Sequence, residues 1–136
     1  MSDYLLDTNI LILCFRKTEG YRELLDTLAK DDTLYISAIT RLEIVRGMHD
    51  HEKKATFNLL DSLETIDVTI EIADRAGDLI RQWRTKGIIL GDADAVIAAT
   101  ALNHGLALVT TNEKHFPMTD LVVYQSDRYG KLTLRE

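Results

Sequence analysis

The run from Gly87 to Asn112, GIILGDADAVIAATALNHGLALVTTN, constrains the fold of this chain more than any other stretch. Between Ala93 and Ala101 it holds mostly small residues, with Val96 and Ile97 the bulky ones, so a helix here can lie close against a sheet. Asp92 reads as the N-cap of that helix, since aspartate accepts a backbone N–H there and its charge suits the positive helix end. Asp94 then falls in the first turn. Gly105, after Asn103 and His104, is expected to end the helix. The residues LALVT that follow are apolar and few, as in a strand buried on both faces, and they stop at Thr110, Thr111 and Asn112. Helix then buried strand is half of an α/β repeat. In open parallel sheets ligands gather outside the carboxyl ends of the strands, which is where Asn112 falls.

The rest of the chain repeats this alternation. Tyr4 to Leu6 reads as a short strand that leaves Asp7 at its carboxyl end, with Asp7 or Thr8 capping a helix that runs to about Phe15. Gly20 to Lys30 reads as a second helix with Leu24, Leu25 and Leu28 on one face, and Leu34 to Ser37 as a second strand after Asp31 and Asp32. Thr40 opens a further helix with Glu43 three residues on, the spacing of a capping box. His51 to Glu64 reads as helix and residues 66–69 as strand. Thr69 starts a helix in which Ile72, Ala73, Ala76, Leu79, Ile80 and Trp83 recur at helical period, closed by Lys86 and Gly87. Leu121 to Tyr124 is the last expected strand, after a loop containing Pro117. Such alternation predicts an α/β fold with a mainly parallel sheet. Right-handed crossovers then bring the ends of successive strands to one edge.

That edge can gather Asp7, Glu43, Asp94 and Asn112 from far-apart segments. Three carboxylates in one cleft without a basic partner repel one another and raise each other's pKa, and a divalent cation relieves this. Oxygen-only ligands suit Mg²⁺ or Mn²⁺, and the chemistry supported is phosphodiester hydrolysis by activated water. The plainer reading of each acid alone is a helix cap, with Glu43 bonding the Thr40 backbone N–H. Thr8, Thr110 and Ser37 carry hydroxyls near the same edge, for a water or phosphate or for capping. Arg46 lies one turn beyond Glu43, where it meets either a substrate phosphate or Glu43 itself. The clusters Arg81, Arg84, Lys86 and Lys53, Lys54 read first as solvated helix surface, with phosphate contact as the alternative. The four histidines show no zinc spacing: His49 and His51 stand too close, and His104 and His115 flank a strand.

At 136 residues the chain fits one domain, residues 1–136, with a core that needs no staples. A formal net charge of −6 argues against a broad basic face for nucleic acid, though not against a nuclease whose acidic site is neutralised by metal. Cys14 is the lone cysteine and makes no internal disulfide, so a reducing, cytoplasmic setting is expected. No apolar run reaches the ~18 residues of a membrane span, and MSDYLLD lacks the features of a signal peptide.

LLDTNIL at Leu5 to Leu11, ISAITRLEI at Ile36 to Ile44, and DADAVIAATALNHGLALVTTNEKHF at Asp92 to Phe116 resemble the three motif regions of PIN-domain nucleases. More narrowly they resemble VapC-type toxins of bacterial toxin–antitoxin pairs. The resemblance implies a three-layer α/β/α fold and a Mg²⁺- or Mn²⁺-dependent endoribonuclease with Asp7, Glu43 and Asp94 as the acidic catalytic and metal-site residues. Asn112 falls where many members have a fourth acidic residue and where numerous VapC-type proteins carry Asn. Asp92 falls at no clear motif position and is kept as a cap, with an outer role at the metal site as the alternative. The likeness also implies a homodimer, a cognate antitoxin that blocks the site, and a structured RNA target such as tRNA or rRNA.

Two other classes stay in view. A phosphoacceptor receiver domain shares the small α/β form but uses adjacent acids after the first strand and a Lys after the last, where this chain has Asp7 alone and Gln125. A non-catalytic PIN-like module binding RNA or protein has no need to hold three repelling carboxylates together. DNA cleavage would use the same chemistry.

Overall fold

The computed structural model describes residues 3–136. Chain order is β1 (Tyr4–Leu6), α1 (Thr8–Phe15), α2 (Tyr21–Ala29), β2 (Leu34–Ser37), α3 (Ala38–Gly47), α4 (Lys53–Asp61), β3 (Glu64–Ile66), α5 (Ile70–Arg84), α6 (Asp92–His104), β4 (Ala107–Thr110), β5 (Val123–Ser126) and β6 (Leu132–Leu134). Short 3-10 turns at Asp50–Glu52 and Glu113–His115 lie in the connections.

Side chains alternate along the strands, and this divides the core in two. Leu5 and Leu108 join α5 and α6 through Ile72, Ala76, Leu79, Ala95, Ala98 and Ala99. Leu6 and Val109 point the other way, to Ile10 and Leu11 of α1, Leu24 and Leu25 of α2, and Leu60 of α4. The result is the expected three-layer α/β/α arrangement. Truncating a fully buried residue such as Leu108 to Ala would cost roughly 2–5 kcal/mol. The buried alanines of α6 explain the small-residue run, since they let the helix lie close on β1 and β4.

Strand order is β3-β2-β1-β4-β5-β6, parallel except for β6, which runs antiparallel to β5. The chain moves outward from β1 to β2 and β3, then returns through α5 and α6 to place β4 on the other side of β1. The connections diverge at the carboxyl ends of β1 and β4. A crevice forms at such a switch point in open α/β sheets.

Several local expectations shift. The cap of α6 is Gly91 rather than Asp92, and no side chain bonds there; Asp92 is the first helical residue, still in the favourable dipole field. Helix α3 begins a turn before Thr40, capped by Ser37 Oγ accepting from Ile39 N at 3.1 Å. No capping box forms at Thr40, which leaves Glu43 free; one forms instead between His49 and Glu52. Helix α4 stops at Asp61, and Glu64 belongs to β3, two residues before the expected strand start. The last expected strand also slides by two residues, to Val123–Ser126, and β6 joins it unanticipated. Gly20 caps α2 at φ 90°, and a Cβ there would collide with the Tyr129 carbonyl oxygen at 1.7 Å, so only glycine fits. Among the described residues, no helix is long and apolar enough to cross a membrane.

Candidate active site

Asp7 follows β1 directly, and its backbone N–H donates to Val109 O at 2.9 Å, continuing the pairing of β1 with β4. Its side chain does two jobs. Oδ1 accepts from Thr8 N at 2.8 Å, capping α1, while Oδ2 accepts from the Thr110 hydroxyl at 2.7 Å. Thr110 Oγ1 accepts in turn from Asn112 N at 3.0 Å. Only 6% of Asp7 is exposed. Burial pushes its pKa up to about 6; the bonds from Thr110 and Thr8 oppose the rise, and the Asp94 and Glu43 charges add to it.

Glu43 reaches the same place from α3. Its Oε1 accepts from Thr8 Oγ1 at 2.7 Å, and Thr40 Oγ1 lies 3.1 Å from the same Thr8 oxygen. A hydroxyl has one proton, so Thr8 gives it to the Glu43 carboxylate, with Thr40 Oγ1 the alternative acceptor. Asp94 enters from the first turn of α6; burial raises its pKa, the His115 ring lowers it, and Glu43 raises it again.

These three acids line one cavity of about 170 Å³ together with Thr8, Asn9, Ile12, Arg46 and His115. Larger cavities carry acids too, but beside cations: one of about 560 Å³ has Glu19 and Glu23 with Lys17 and Arg22, and one of about 420 Å³ has Asp26, Asp32 and Glu64 with Arg22, so size does not locate the chemistry. The carboxylates do not form a finished cage. Among the described residues, no three His, Cys, Asp or Glu side chains are grouped tightly enough to hold an ion as they stand. The three acids carry like charge, with Arg46 and His115 beside two of them at the rim, and a bound cation would offset what remains. The donor set is all oxygen, matching a hard divalent ion.

The structure thus brings Asp7, Glu43 and Asp94 together. Asn112 is two residues past β4 and does not line the cavity; its backbone meets the site through Thr110 Oγ1, which accepts from its N–H, and through His115, whose N–H donates to its carbonyl. Asp92 is exposed and also outside the lining. Ser37 serves as a cap, whereas Thr8 and Thr110 orient carboxylates. Arg46 Nη2 stands 3.9 Å from Glu43 Oε2. His115, which in the sequence only flanks a strand without zinc spacing, lies in the site with Nδ1 3.5 Å from Asp94 Oδ2. Its one advance signal was position, a few residues past the carboxyl end of the strand beside β1. Gln125 does not act as a receiver lysine would: Oε1 accepts from Glu113 N at 2.9 Å and Nε2 donates to Thr111 O at 2.7 Å, fixing the loop after β4.

The chain is similar to known proteins over most of its length. A family model described as PIN domain matches residues 4–120. Ribonuclease VapC10 of Mycobacterium tuberculosis is 38% identical over 114 residues, covering 84% of this chain and 86% of its own. The crystal structure of VapBC2 from Rickettsia felis, bound to a DNA fragment from their promoter, superposes with a TM-score of 0.80 at 29% identity over 91% of this chain and 98% of that one. A toxin–antitoxin complex from Klebsiella pneumoniae gives a TM-score of 0.73 at 32% identity, over 87% and 93% of the two chains. With the family model spanning most of its length and the acids of all three motif regions in one cleft, the chain belongs to the PIN-domain family, in its VapC-type branch.

Proposed function

We propose that this protein is a metal-dependent endoribonuclease and the toxin of a toxin–antitoxin pair. One observation carries the reading: Asp7, buried and pushed up to about 6, shares a cavity with Glu43 and Asp94 and has no cationic side chain bonded to it. A structural role needs no such arrangement, because burying an uncompensated carboxylate opposes folding.

Asp7, Glu43 and Asp94 would hold Mg²⁺ or Mn²⁺. Such an ion, when bound, supplies Lewis-acid activation of water and charge for the leaving oxygen. The chain's own part is orientation. Thr110 fixes Asp7 Oδ2, Thr8 fixes Glu43 Oε1, and the start of α6 presents Asp94 in the positive field of the helix. We keep Asn112 as an outer oxygen donor, linked to Asp7 through the Thr110 hydroxyl.

The substrate class is structured RNA, such as tRNA or rRNA, and the setting is the cytoplasm, where Cys14 stays reduced. Two partners complete the reading: a cognate antitoxin, in keeping with the complexes that similar chains form, and a second copy of this chain. Ile70 at 84% exposed and Ile89 at 90% exposed are the kind of apolar surface that such partners cover.

The test uses purified, antitoxin-free protein on a mixed pool of structured RNA with Mg²⁺, Mn²⁺ or EDTA, beside Asp94→Asn. Cutting that needs the ion and disappears in the folded variant is expected. Absence of cutting with either ion, by folded protein shown to bind metal, would overturn the nuclease reading.

A further inference from the structure

Two nitrogen-bearing side chains flank the acidic cavity from opposite elements, and neither is committed to the carboxylate beside it. Arg46, in the last turn of α3, approaches Glu43 at 3.9 Å with 70% of its side chain exposed. His115, at the end of the Glu113–His115 turn, approaches Asp94 at 3.5 Å with 59% exposed. Both separations exceed the range of well-formed hydrogen bonds. Pairs this exposed contribute little to stability, so holding the fold together does not account for their placement.

The chain nevertheless fixes where His115 sits. Its backbone N–H donates to Asn112 O at 3.0 Å, and Glu113 N donates to the Gln125 side chain at 2.9 Å. Just beyond it, the Arg135 guanidinium donates to the carbonyls of Phe116, Met118 and Leu121. An anchored backbone thus carries a free imidazole to the rim of the cavity. Arg46 is placed by α3, the helix that also delivers Glu43.

Charge gives the two groups a task. With all three acids ionised, a single divalent cation leaves the acids and ion together net negative, before Arg46 at the rim is counted. A phosphodiester brings one more negative charge, and its approach is opposed unless positive charge or N–H donors meet it at the rim. Guanidinium is the group best shaped to grip a phosphate through two oxygens, and an imidazole offers an N–H in either protonation state.

We propose that Arg46 and His115 form a two-sided clamp on a phosphodiester of the substrate strand, Arg46 from α3 and His115 from the turn after β4. The clamp rests on the nuclease reading and adds to it the residues that hold the substrate backbone. Both contacts are to phosphate, so they position the strand without reading its sequence.

The test measures binding of a fluorescent pool of structured RNA to the full chain in Ca²⁺ over a range of salt, with Mn²⁺ affinity measured by calorimetry in the same variants. Arg46→Ala is expected to weaken RNA binding about tenfold and to lower the salt slope by about one, while Arg46→Lys keeps the slope. His115→Ala should weaken binding by about three- to fivefold, the loss of one rim contact. Mn²⁺ affinity should stay within about twofold throughout, because neither side chain is a ligand. Unchanged RNA affinity and slope in both alanine variants would overturn the clamp. So would a loss of RNA binding matched by an equal loss of Mn²⁺ affinity, which would mean that the two groups merely orient Glu43 and Asp94. Wild-type protein that cuts no RNA in Mg²⁺ or Mn²⁺ overturns the nuclease reading instead, and the slope comparison still decides the clamp.

Discussion

Two neighbouring helix caps, Asp7 and Ser37, solve one local problem in different ways. Each stands at the carboxyl end of a strand, β1 and β2, in the parallel part of the sheet, and each side chain accepts a backbone N–H from the helix that follows. Both are buried. Ser37 does this with a neutral hydroxyl. Asp7 does it with a carboxylate whose charge is out of water and faces Glu43 and Asp94. Serine and aspartate cap about equally well, so capping alone does not select the charge at Asp7. The difference separates what the fold requires from what the site requires.

Making the two caps alike is the strongest way to break the comparison. Asp7→Ser keeps an acceptor for Thr8 N and removes the charge. RNA cleavage should fall by a factor on the order of a thousand, about 4 kcal/mol in barrier, with the circular dichroism spectrum unchanged. Survival of cleavage in this variant would reduce Asp7 to a second Ser37.

The next effect is on stability and has the opposite sign. Asp7 titrates at about 6 in the fold against an ordinary 3.8, so the folded chain holds this proton more tightly than the unfolded chain. Its contribution to stability is fully present below about pH 4 and is lost as pH rises through about 6. The loss is of order 3 kcal/mol at most, from about two pKa units. In EDTA, Asp7→Asn should therefore be more stable than wild type at pH 7 by up to about 3 kcal/mol, with the gain gone near pH 4. Urea melts of both proteins at the two pH values measure this. Saturating Mn²⁺ should narrow or reverse the gap, because it stabilises only the chain that binds it.

Ser37→Ala gives the smallest effect. Loss of that cap should cost about 1 kcal/mol by urea melt, with cleavage within about twofold of wild type. A loss of cleavage comparable with that of Asp7→Ser would place Ser37 in the chemistry and dissolve the contrast.

Elements with strong local signals were legible in the sequence. The β1 strand, the Thr69 cap of α5, the Gly105 end of α6 and the buried β4 strand lie where residue pattern puts them, because side-chain period and turn chemistry decide them locally. Short strands slid by two residues, since their bounds come from the partner: β3 is fixed by pairing Tyr35 with Glu64, and β5 by pairing Leu108 with Val123. Edge strand β6, with only Leu132, Thr133 and Leu134, offers too short an alternation to stand out. Around the cavity, Asp7 and Asp94 were legible as acids at the ends of elements, and Glu43 as an acid inside the helix after β2. His115 was not, because an isolated histidine in a polar loop has no period, and only the folded chain sets it beside Asp94.

The point where the connections diverge, between β1 and β4, is also a seam for protein engineering. Asp7 and Glu43 lie before the exposed stretch from Lys86 to Ile89, and Asp94 and His115 lie after it. Opening the backbone at Gly87 would leave two acids on one fragment and the third on the other, with β1 and β4 as the edges that must rejoin. Neither fragment alone carries the cavity. A split version of the chain would therefore report reunion of its halves by RNA cutting, with little background from either piece.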